Sequence, residues 1–143
     1  MSPNRIASAV AAVVFGVAGV WGAIASATLG LIVAPGALLA GVLGTNLLLS
    51  IVHLAIAVAL TVGCVLGDRA SRAMNVAIGT LLLAIGLFGL FAVGTPANVV
   101  ALNGVTNVLH FAGSSALLAT GLGASPAPVA ETGGRPAARR PLN

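Results

Sequence analysis

Two long stretches without a charged residue dominate the sequence, at 6–67 and 73–130. A helix that crosses a bilayer needs about 20 mostly apolar residues, so each stretch is too long for one span and predicts a helical hairpin. A Pro-Gly pair at 35–36 interrupts the first stretch, and a Thr-Pro pair at 95–96 interrupts the second. Proline ends helices because it lacks a backbone N–H. The pattern therefore predicts four spans, at about 6–29, 46–66, 73–94 and 103–122.

The predicted fold class is all-α: a polytopic membrane four-helix bundle built from two similar helical hairpins. Residues 1–122 form the membrane domain. The connection at 30–45 is still apolar and is expected to be a short interfacial or partly helical segment. Residues 123–143 are rich in Pro, Gly and Arg, a composition that cannot bury a core, so they are predicted to form a disordered cytoplasmic tail.

Composition supports a membrane protein and excludes several other classes. The chain is 59% hydrophobic and 6% charged, which leaves too few charges to solvate the surface of a soluble globule. The net charge of +4 comes from arginines at span ends and in the tail, with no basic stripe among aromatics, so no nucleic-acid partner is expected. A single cysteine, Cys64, excludes an intramolecular disulfide and a cysteine-based metal cluster.

The arginines predict the orientation of the spans. With four spans, Arg5, Arg69, Arg72 and the tail arginines all lie on one side, and the other two connections carry no charge. The positive-inside rule then places both termini and the central loop 67–72 in the cytoplasm. The protein is expected to be multi-pass in the cell membrane.

Each of the two histidines lies seven residues after an asparagine. Asn46 precedes His53 at the start of the second predicted span, and Asn103 precedes His110 at the start of the fourth. The offset between the two motifs is 57 residues, which suggests an internal duplication of a two-helix unit in the same orientation. Seven residues are almost two helical turns, so each Asn and His share a face, with the His about 10 Å deeper.

Polar residues that share a face of a lipid-embedded helix are expected to point into the bundle. The candidate ligand-binding or structural polar network comprises Asn46, Ser50, His53, Asn103, Thr106, Asn107 and His110. Its first interpretation is interhelical hydrogen bonding from His to Asn, Ser or a backbone carbonyl. Alternatives are ligation of haem or a metal by His53 and His110, and a quinone, small-molecule or proton-handling site. Two ligands without acids or thiols make a poor zinc site, and no intramembrane Asp or Glu supports proton transport.

The expected role is therefore that of a small non-enzymatic accessory or structural membrane protein, since no Ser/His/Asp set, carboxylate pair or phosphate loop is present. Its expected partners are the lipid bilayer and either further copies of the chain or a larger membrane complex. The alternative is a binder of haem, quinone or another small hydrophobic ligand through the two histidines.

The Asn–His motifs resemble domain-of-unknown-function family 4383, small four-helix membrane proteins of bacteria, largely actinobacteria. In that family the second span opens with an Asn, a His-Asn pair and a His, and the fourth with an Asn, an Asp-Asn pair and a His. Asn46 and His53 match the first pattern; Asn103, Asn107 and His110 match the second. The departures are Leu49 in place of the extra His, Ser50 in place of Asn and Thr106 in place of Asp. The resemblance covers about residues 4–122 and implies a four-helix fold in the bacterial inner membrane, without an established activity.

Overall fold

The computed structural model describes residues 1–123. In this part the chain forms four helices and one two-stranded sheet: α1 (Pro3–Ala25), β1 (Ala37–Leu39), β2 (Leu43–Thr45), α2 (Leu47–Leu66), α3 (Asp68–Ala92) and α4 (Gly104–Leu122). The closest helix pairs are α1 with α2 and α3 with α4. The predicted all-α bundle of two helical hairpins is therefore confirmed. The predicted disordered tail lies outside the described residues from 124 onwards.

Three of the helices in residues 1–123 are long and apolar enough to cross a membrane, namely α1, α2 and α3. The fourth, α4, has 19 residues and carries the buried polar side chains of Thr106, Asn107 and His110, which lower its hydropathy. Long apolar helices with large exposed hydrophobic side chains are typical of lipid-facing surfaces. The chain is a membrane-embedded protein.

The boundaries of α1 differ from the predicted span 6–29. The helix begins at Pro3, where proline is tolerated because the first N–H groups of a helix need no intrahelical partner, and Ser2 accepts a hydrogen bond from the backbone N–H of Arg5. It ends at Ala25. The N–H of Ser26 still bonds to the carbonyl of Gly22, but the chain then enters a turn.

The predicted loop at 67–72 is wrong, because only Gly67 separates α2 from α3. Gly67 has φ 112°, a conformation that a side chain disfavours, so one glycine reverses the chain. Asp68 opens α3 and places a negative charge near the positive end of the helix dipole. The hydroxyl of Ser71 donates to the carbonyl of Gly63 (3.0 Å), and this bond connects the start of α3 to the end of α2.

The connection at 30–45, expected to be interfacial or partly helical, contains a β-hairpin instead. Strands β1 and β2 are antiparallel, with Leu39 opposite Leu43. The three-residue turn contains Ala40 and Gly41, both with positive φ (48° and 75°), a geometry typical of short hairpin loops. Apolar character alone does not distinguish a helix from a strand in so short a segment, so the hairpin was not predicted.

The core and the two ends of the bundle have different compositions. The buried apolar cluster at mid-height contains Phe15, Ile56, Ala57, Leu60, Leu82 and Leu117. One end, which we call the charged end, holds all the charged side chains among residues 1–123: Arg5, Asp68, Arg69 and Arg72. The other end, the hairpin end, carries the β-hairpin and the connection 93–103.

Candidate functional site

The two asparagines of the repeated motif begin α2 and α4. The side-chain oxygen of Asn46 accepts from the backbone N–H of Leu49 (2.9 Å), and that of Asn103 accepts from the N–H of Thr106 (2.9 Å). The asparagines have nearly the same backbone angles, φ −140° and −135°, as N-caps do. Both asparagines therefore act first as helix caps, at matching places in the two hairpins.

The same asparagines hold the connections at the hairpin end. The amide of Asn46 donates to the carbonyl of Val99 (2.8 Å) and more weakly to that of Val33 (3.4 Å). The amide of Asn103 donates to the carbonyl of Val42 (2.8 Å). Through these bonds the two asparagines connect the starts of α2 and α4 to the connections at the hairpin end.

Three further residues of the predicted network surround these caps. Ser50 donates to the carbonyl of Asn46 (2.8 Å), and Thr106 donates to the carbonyl of Gly44 in β2 (2.8 Å). Asn107 packs against Gly89 of α3, where an added Cβ would collide with its amide. The side-chain oxygen of Asn107 has no hydrogen-bond partner among the described residues.

The two histidines meet directly inside the bundle. Nε2 of His53 and Nε2 of His110 are 3.1 Å apart, and both side chains are fully buried. The ring centroids are 5.4 Å apart at an interplanar angle of 68°. The hydrogen bonds expected from His to Asn, Ser or a carbonyl are replaced by one bond from His to His, which joins α2 to α4 and thus one hairpin to the other.

The contact fixes the proton positions of the neutral rings. A hydrogen bond between two Nε2 atoms requires one ring to carry its proton on Nε2 and the other to carry it on Nδ1. Neither Nδ1 atom has a hydrogen-bond partner within residues 1–123. The histidine pair (His53 and His110) therefore leaves one buried donor and one buried acceptor unpaired, and such groups are uncommon in folded proteins.

Apolar and aromatic groups surround the pair. The ring of Phe15 lies 5.3 Å from the ring of His53, at 55°. In the described part of the chain, no three His, Cys, Asp or Glu side chains come together. A zinc site with three or four protein ligands therefore does not fit these residues. Haem ligation by both Nε2 atoms would require α2 and α4 to move apart, because the atoms are already in contact.

A second buried polar cluster was missed in the sequence. Its centre is Asn75, which is fully buried in α3. Its side-chain oxygen accepts from the hydroxyl of Ser8 (2.7 Å). Its amide donates to the carbonyl of Asn4 (3.1 Å), to that residue's side-chain oxygen (3.3 Å) and to the hydroxyl of Thr120 (3.2 Å). We call Asn4, Ser8, Asn75 and Thr120 the Asn75 cluster; it joins α1, α3 and α4.

The signal for this cluster was present in α3. Its buried residues are Ser71, Asn75, Gly79, Leu82, Gly86, Gly89 and Ala92, a stripe of small and polar residues at intervals of three and four. Such a stripe predicts a helix face that packs against other helices. Asn75 belongs to no repeated motif, so the Asn–His pattern of α2 and α4 did not predict it.

Comparison with known protein families identifies one matching family. The model of the family described as domain of unknown function (DUF4383) matches residues 5–124. The chain belongs to this family. The match covers all four helices of the DUF4383 bundle from Arg5 onwards, so the resemblance inferred from the Asn–His motifs is confirmed. Neither a curated protein nor a solved structure matches the chain.

Proposed function

We propose that this DUF4383 protein is a structural or accessory membrane protein whose histidine pair locks its two helical hairpins together. The observation that carries this proposal is the 3.1 Å contact between Nε2 of His53 and Nε2 of His110, with both rings fully buried. Interhelical hydrogen bonds of polar side chains stabilise membrane bundles by about 0.6 kcal/mol on average. Such a bond fixes which faces of α2 and α4 meet, and a structural role requires one defined arrangement of the helices.

A second candidate is a small-molecule site, and the two unpaired Nδ1 atoms favour it. One Nδ1 of the neutral pair is a donor and the other an acceptor, and neither is satisfied within residues 1–123. A quinone carbonyl could accept from the donor, and a hydroxyl group could donate to the acceptor. This candidate retains the His–His bond and needs no metal. Haem or a metal between the rings would break that bond.

One purification separates the two candidates. The full chain is extracted in a mild detergent and its absorption spectrum and bound small molecules are measured, together with those of His53→Ala and His110→Ala. For the structural role we expect a protein without a Soret band or quinone, and an earlier thermal unfolding transition in both variants. For the ligand-binding role, a molecule bound to the wild type is lost from both variants while their helical content is kept.

The matched control is Thr61→Val, on an exposed face of α2, where the hydroxyl bonds only to the carbonyl of Ala57 in the same helix. It changes a polar side chain of α2 without touching the pair. If Thr61→Val lowers the transition temperature as much as the histidine variants do, the structural role of the pair is rejected. If histidine variants unfold at the wild-type temperature and no ligand is found, both candidates are rejected.

We further propose that the charged end faces the cytoplasm of a bacterial cell and that both termini lie there. This is supported by the clustering of Arg5, Arg69 and Arg72 at one end and by the preference of arginine for the cytoplasmic side. In a Cys64→Ala background, Ala97→Cys at the hairpin end should react with an impermeant maleimide on intact cells. Arg69→Cys should react only after permeabilisation, and the reverse pattern would reject the orientation.

The partners of the proposed accessory role are the surrounding lipid and a larger membrane complex or further copies of the chain. Large hydrophobic side chains such as Ile24, Val58 and Phe91 are exposed along the helices, which is expected of surfaces in contact with lipid or other membrane helices. Co-purification from native membranes followed by mass spectrometry would identify a protein partner. Isolation of single copies with lipid alone would speak against a complex.

A further inference from the structure

The two hairpins correspond residue by residue, with offsets of 67 for α1 and α3 and 57 for α2 and α4. Buried glycines match in the first pair of helices, Gly19 with Gly86 and Gly22 with Gly89. The two histidines match in the second pair. The offsets differ because the first hairpin has the longer connection, residues 26–46 against 93–103.

Contacts between helices correspond in the same way. Nε of Arg5 donates to the carbonyl of Cys64 (2.9 Å), and Nε of Arg72 donates to that of Gly121 (2.8 Å). Each arginine thus reaches the last turn of its partner helix. The other recurring contacts are Gly19 with Leu54 and Gly86 with Phe111, and Gly22 with Ser50 and Gly89 with Asn107. The hairpins therefore have the same internal packing.

Two contacts map onto themselves when the halves are exchanged. They are the bond between His53 and His110 and the bond between Ser8 and Asn75. A contact between equivalent residues lies on the axis that relates two equivalent units. The bundle consequently has an approximate twofold axis that passes through both polar clusters, and every groove on its surface has an equivalent on the other side.

The two equivalent grooves are filled differently. The groove between α1 and α4 contains the ring of Phe15, and the side chains of Leu39 and Leu43 from the β-hairpin cover its upper part. The space left in this groove is divided into two cavities of about 250 Å³ each, one beside Phe15 and one beneath the hairpin. In the groove between α2 and α3, Leu82 stands at the position equivalent to Phe15 but does not line the groove, and the shorter connection contributes Val100 in place of a hairpin. The volume of this groove is about 710 Å³.

We propose that this groove between α2 and α3 binds one acyl chain of a membrane phospholipid. The equivalent groove between α1 and α4 indicates what kind of group would fit. There, an aromatic ring and an extended apolar segment of the chain itself occupy part of the space. The α2–α3 groove is lined only by apolar side chains, including Val52, Ala55, Ile78, Leu81, Ile85 and Phe88. Its volume lies within the range of small-ligand sites. Both α2 and α3 are long and apolar enough to cross a membrane, where acyl chains would surround their exposed faces.

The chain carries a matched pair of reporter positions for this proposal. Its single tryptophan, Trp21, lines the covered groove, and the equivalent residue in the open groove is Phe88. The two side chains are similarly exposed, 49% and 43%. Exchange of the two residues, Trp21→Phe with Phe88→Trp, moves the fluorophore from one groove to the other without adding a residue type.

The experiment titrates phosphatidylglycerol with brominated acyl chains into the full-length protein in detergent micelles and follows tryptophan fluorescence. Bromine quenches the indole on contact. In the exchanged variant we expect quenching to reach half of its maximum at about a tenfold lower fraction of labelled lipid than in the wild type, and then to saturate. In the wild type, Trp21 should be quenched in proportion to the bulk lipid, because its groove is already covered.

Variants that fill the groove provide the decisive control. Ala55→Phe in the exchanged background should abolish the saturable quenching, whereas Ala112→Phe, at the equivalent position in the covered groove, should leave it unchanged. If Ala55→Phe does not retain its helical content, Ala84→Leu on the α3 side replaces it. Identical titration curves for the two tryptophan positions would overturn the proposal. So would an unquenched Trp at position 88 in a dimeric protein, since a second copy would then occupy the groove.

Discussion

The histidine pair and the Asn75 cluster lie on the same approximate axis but satisfy their polar atoms to different degrees. The side chain of Asn75 has a donor for its oxygen and three acceptors for its amide, from α1 and α4. The histidine pair has one hydrogen bond between its members, and both Nδ1 atoms lack a partner among residues 1–123. The cluster near the charged end is complete, and the one towards the hairpin end is not.

This difference indicates that the two polar clusters contribute unequally to the stability of the bundle. A buried polar network stabilises one arrangement when every member is satisfied, because an unpaired group in a low-dielectric interior is costly. The Asn75 cluster meets that condition and is expected to hold the helices in register. The histidine pair contributes a bond but leaves both Nδ1 atoms unpaired among residues 1–123, so its contribution to stability is expected to be smaller.

The largest effect is expected from Asn75→Leu. Leucine has a similar size but cannot bond to Ser8, Asn4 or Thr120, which would leave the buried hydroxyl of Ser8 without this partner and remove the bonds from α3 to α1 and α4. We expect the free energy of unfolding to fall by about 2 kcal/mol, measured as helical content during titration of the detergent-solubilised protein with SDS. Thr80→Val is the control, because this exposed hydroxyl bonds only to the carbonyl of Val76 in its own helix. Equal losses for both variants would contradict the role of the cluster.

The next effect compares the two helix caps at the hairpin end. Asn46→Ala removes the cap of α2 and also the donors to the carbonyls of Val33 and Val99, so we expect a loss of about 1.5 kcal/mol. Asn103→Ala removes the cap of α4 and one donor at a more accessible site, and about 1 kcal/mol is expected. The same SDS titration measures both. A larger loss for Asn103→Ala would show that the connections do not depend on Asn46.

Much of the fold could be predicted from the sequence because the membrane limits the possible structures. Charge-free stretches and prolines predicted the helices and the all-α class, and the ends of α2 and α4 agree with the predicted spans to within a residue. The tight turn at Gly67 could not be predicted, because an Asp and two Arg resemble a polar loop although Asp68 also suits a helix start. The β-hairpin was hidden for a related reason: short apolar runs fit a strand or a helix equally well.

The site could be predicted only in part. Helical periodicity correctly placed the two histidines on inward faces, but it carries no information about which inward groups meet across the bundle. The contact between His53 and His110 depends on the relative rotation of α2 and α4, whereas the close packing at Gly22, Gly86 and Gly89 fixes rotation only within each hairpin. The role of Asn46 and Asn103 as caps follows from their position before a helix. Their side-chain oxygens bond to the backbone N–H groups of Leu49 and Thr106 and not to the histidines.

A double-mutant cycle measures the contribution of the histidine pair itself. Each of His53→Phe and His110→Phe removes one partner and leaves the other ring unpaired. The double variant removes both, so its loss should be smaller than the sum of the single losses. We expect a coupling free energy of about 0.6 kcal/mol and below about 2 kcal/mol. A coupling near zero in SDS titrations would mean that the Nε2 contact does not stabilise the bundle.

The smallest effect tests whether every polar atom of the Asn75 side chain has enough hydrogen-bond partners. The amide of Asn75 has two hydrogens and three acceptors, so Thr120→Val still leaves an acceptor for each, and the loss should stay below about 0.6 kcal/mol. The oxygen of Asn75 has one donor in the described residues, the hydroxyl of Ser8. Ser8→Ala should therefore cost more, about 1 kcal/mol. Comparison of the two variants in one SDS titration checks this order. The reverse order, a larger loss for Thr120→Val, would mean that the two acceptors of Asn4 do not satisfy the amide of Asn75 without Thr120. The Asn75 cluster would then depend on Thr120 for its full set of hydrogen bonds.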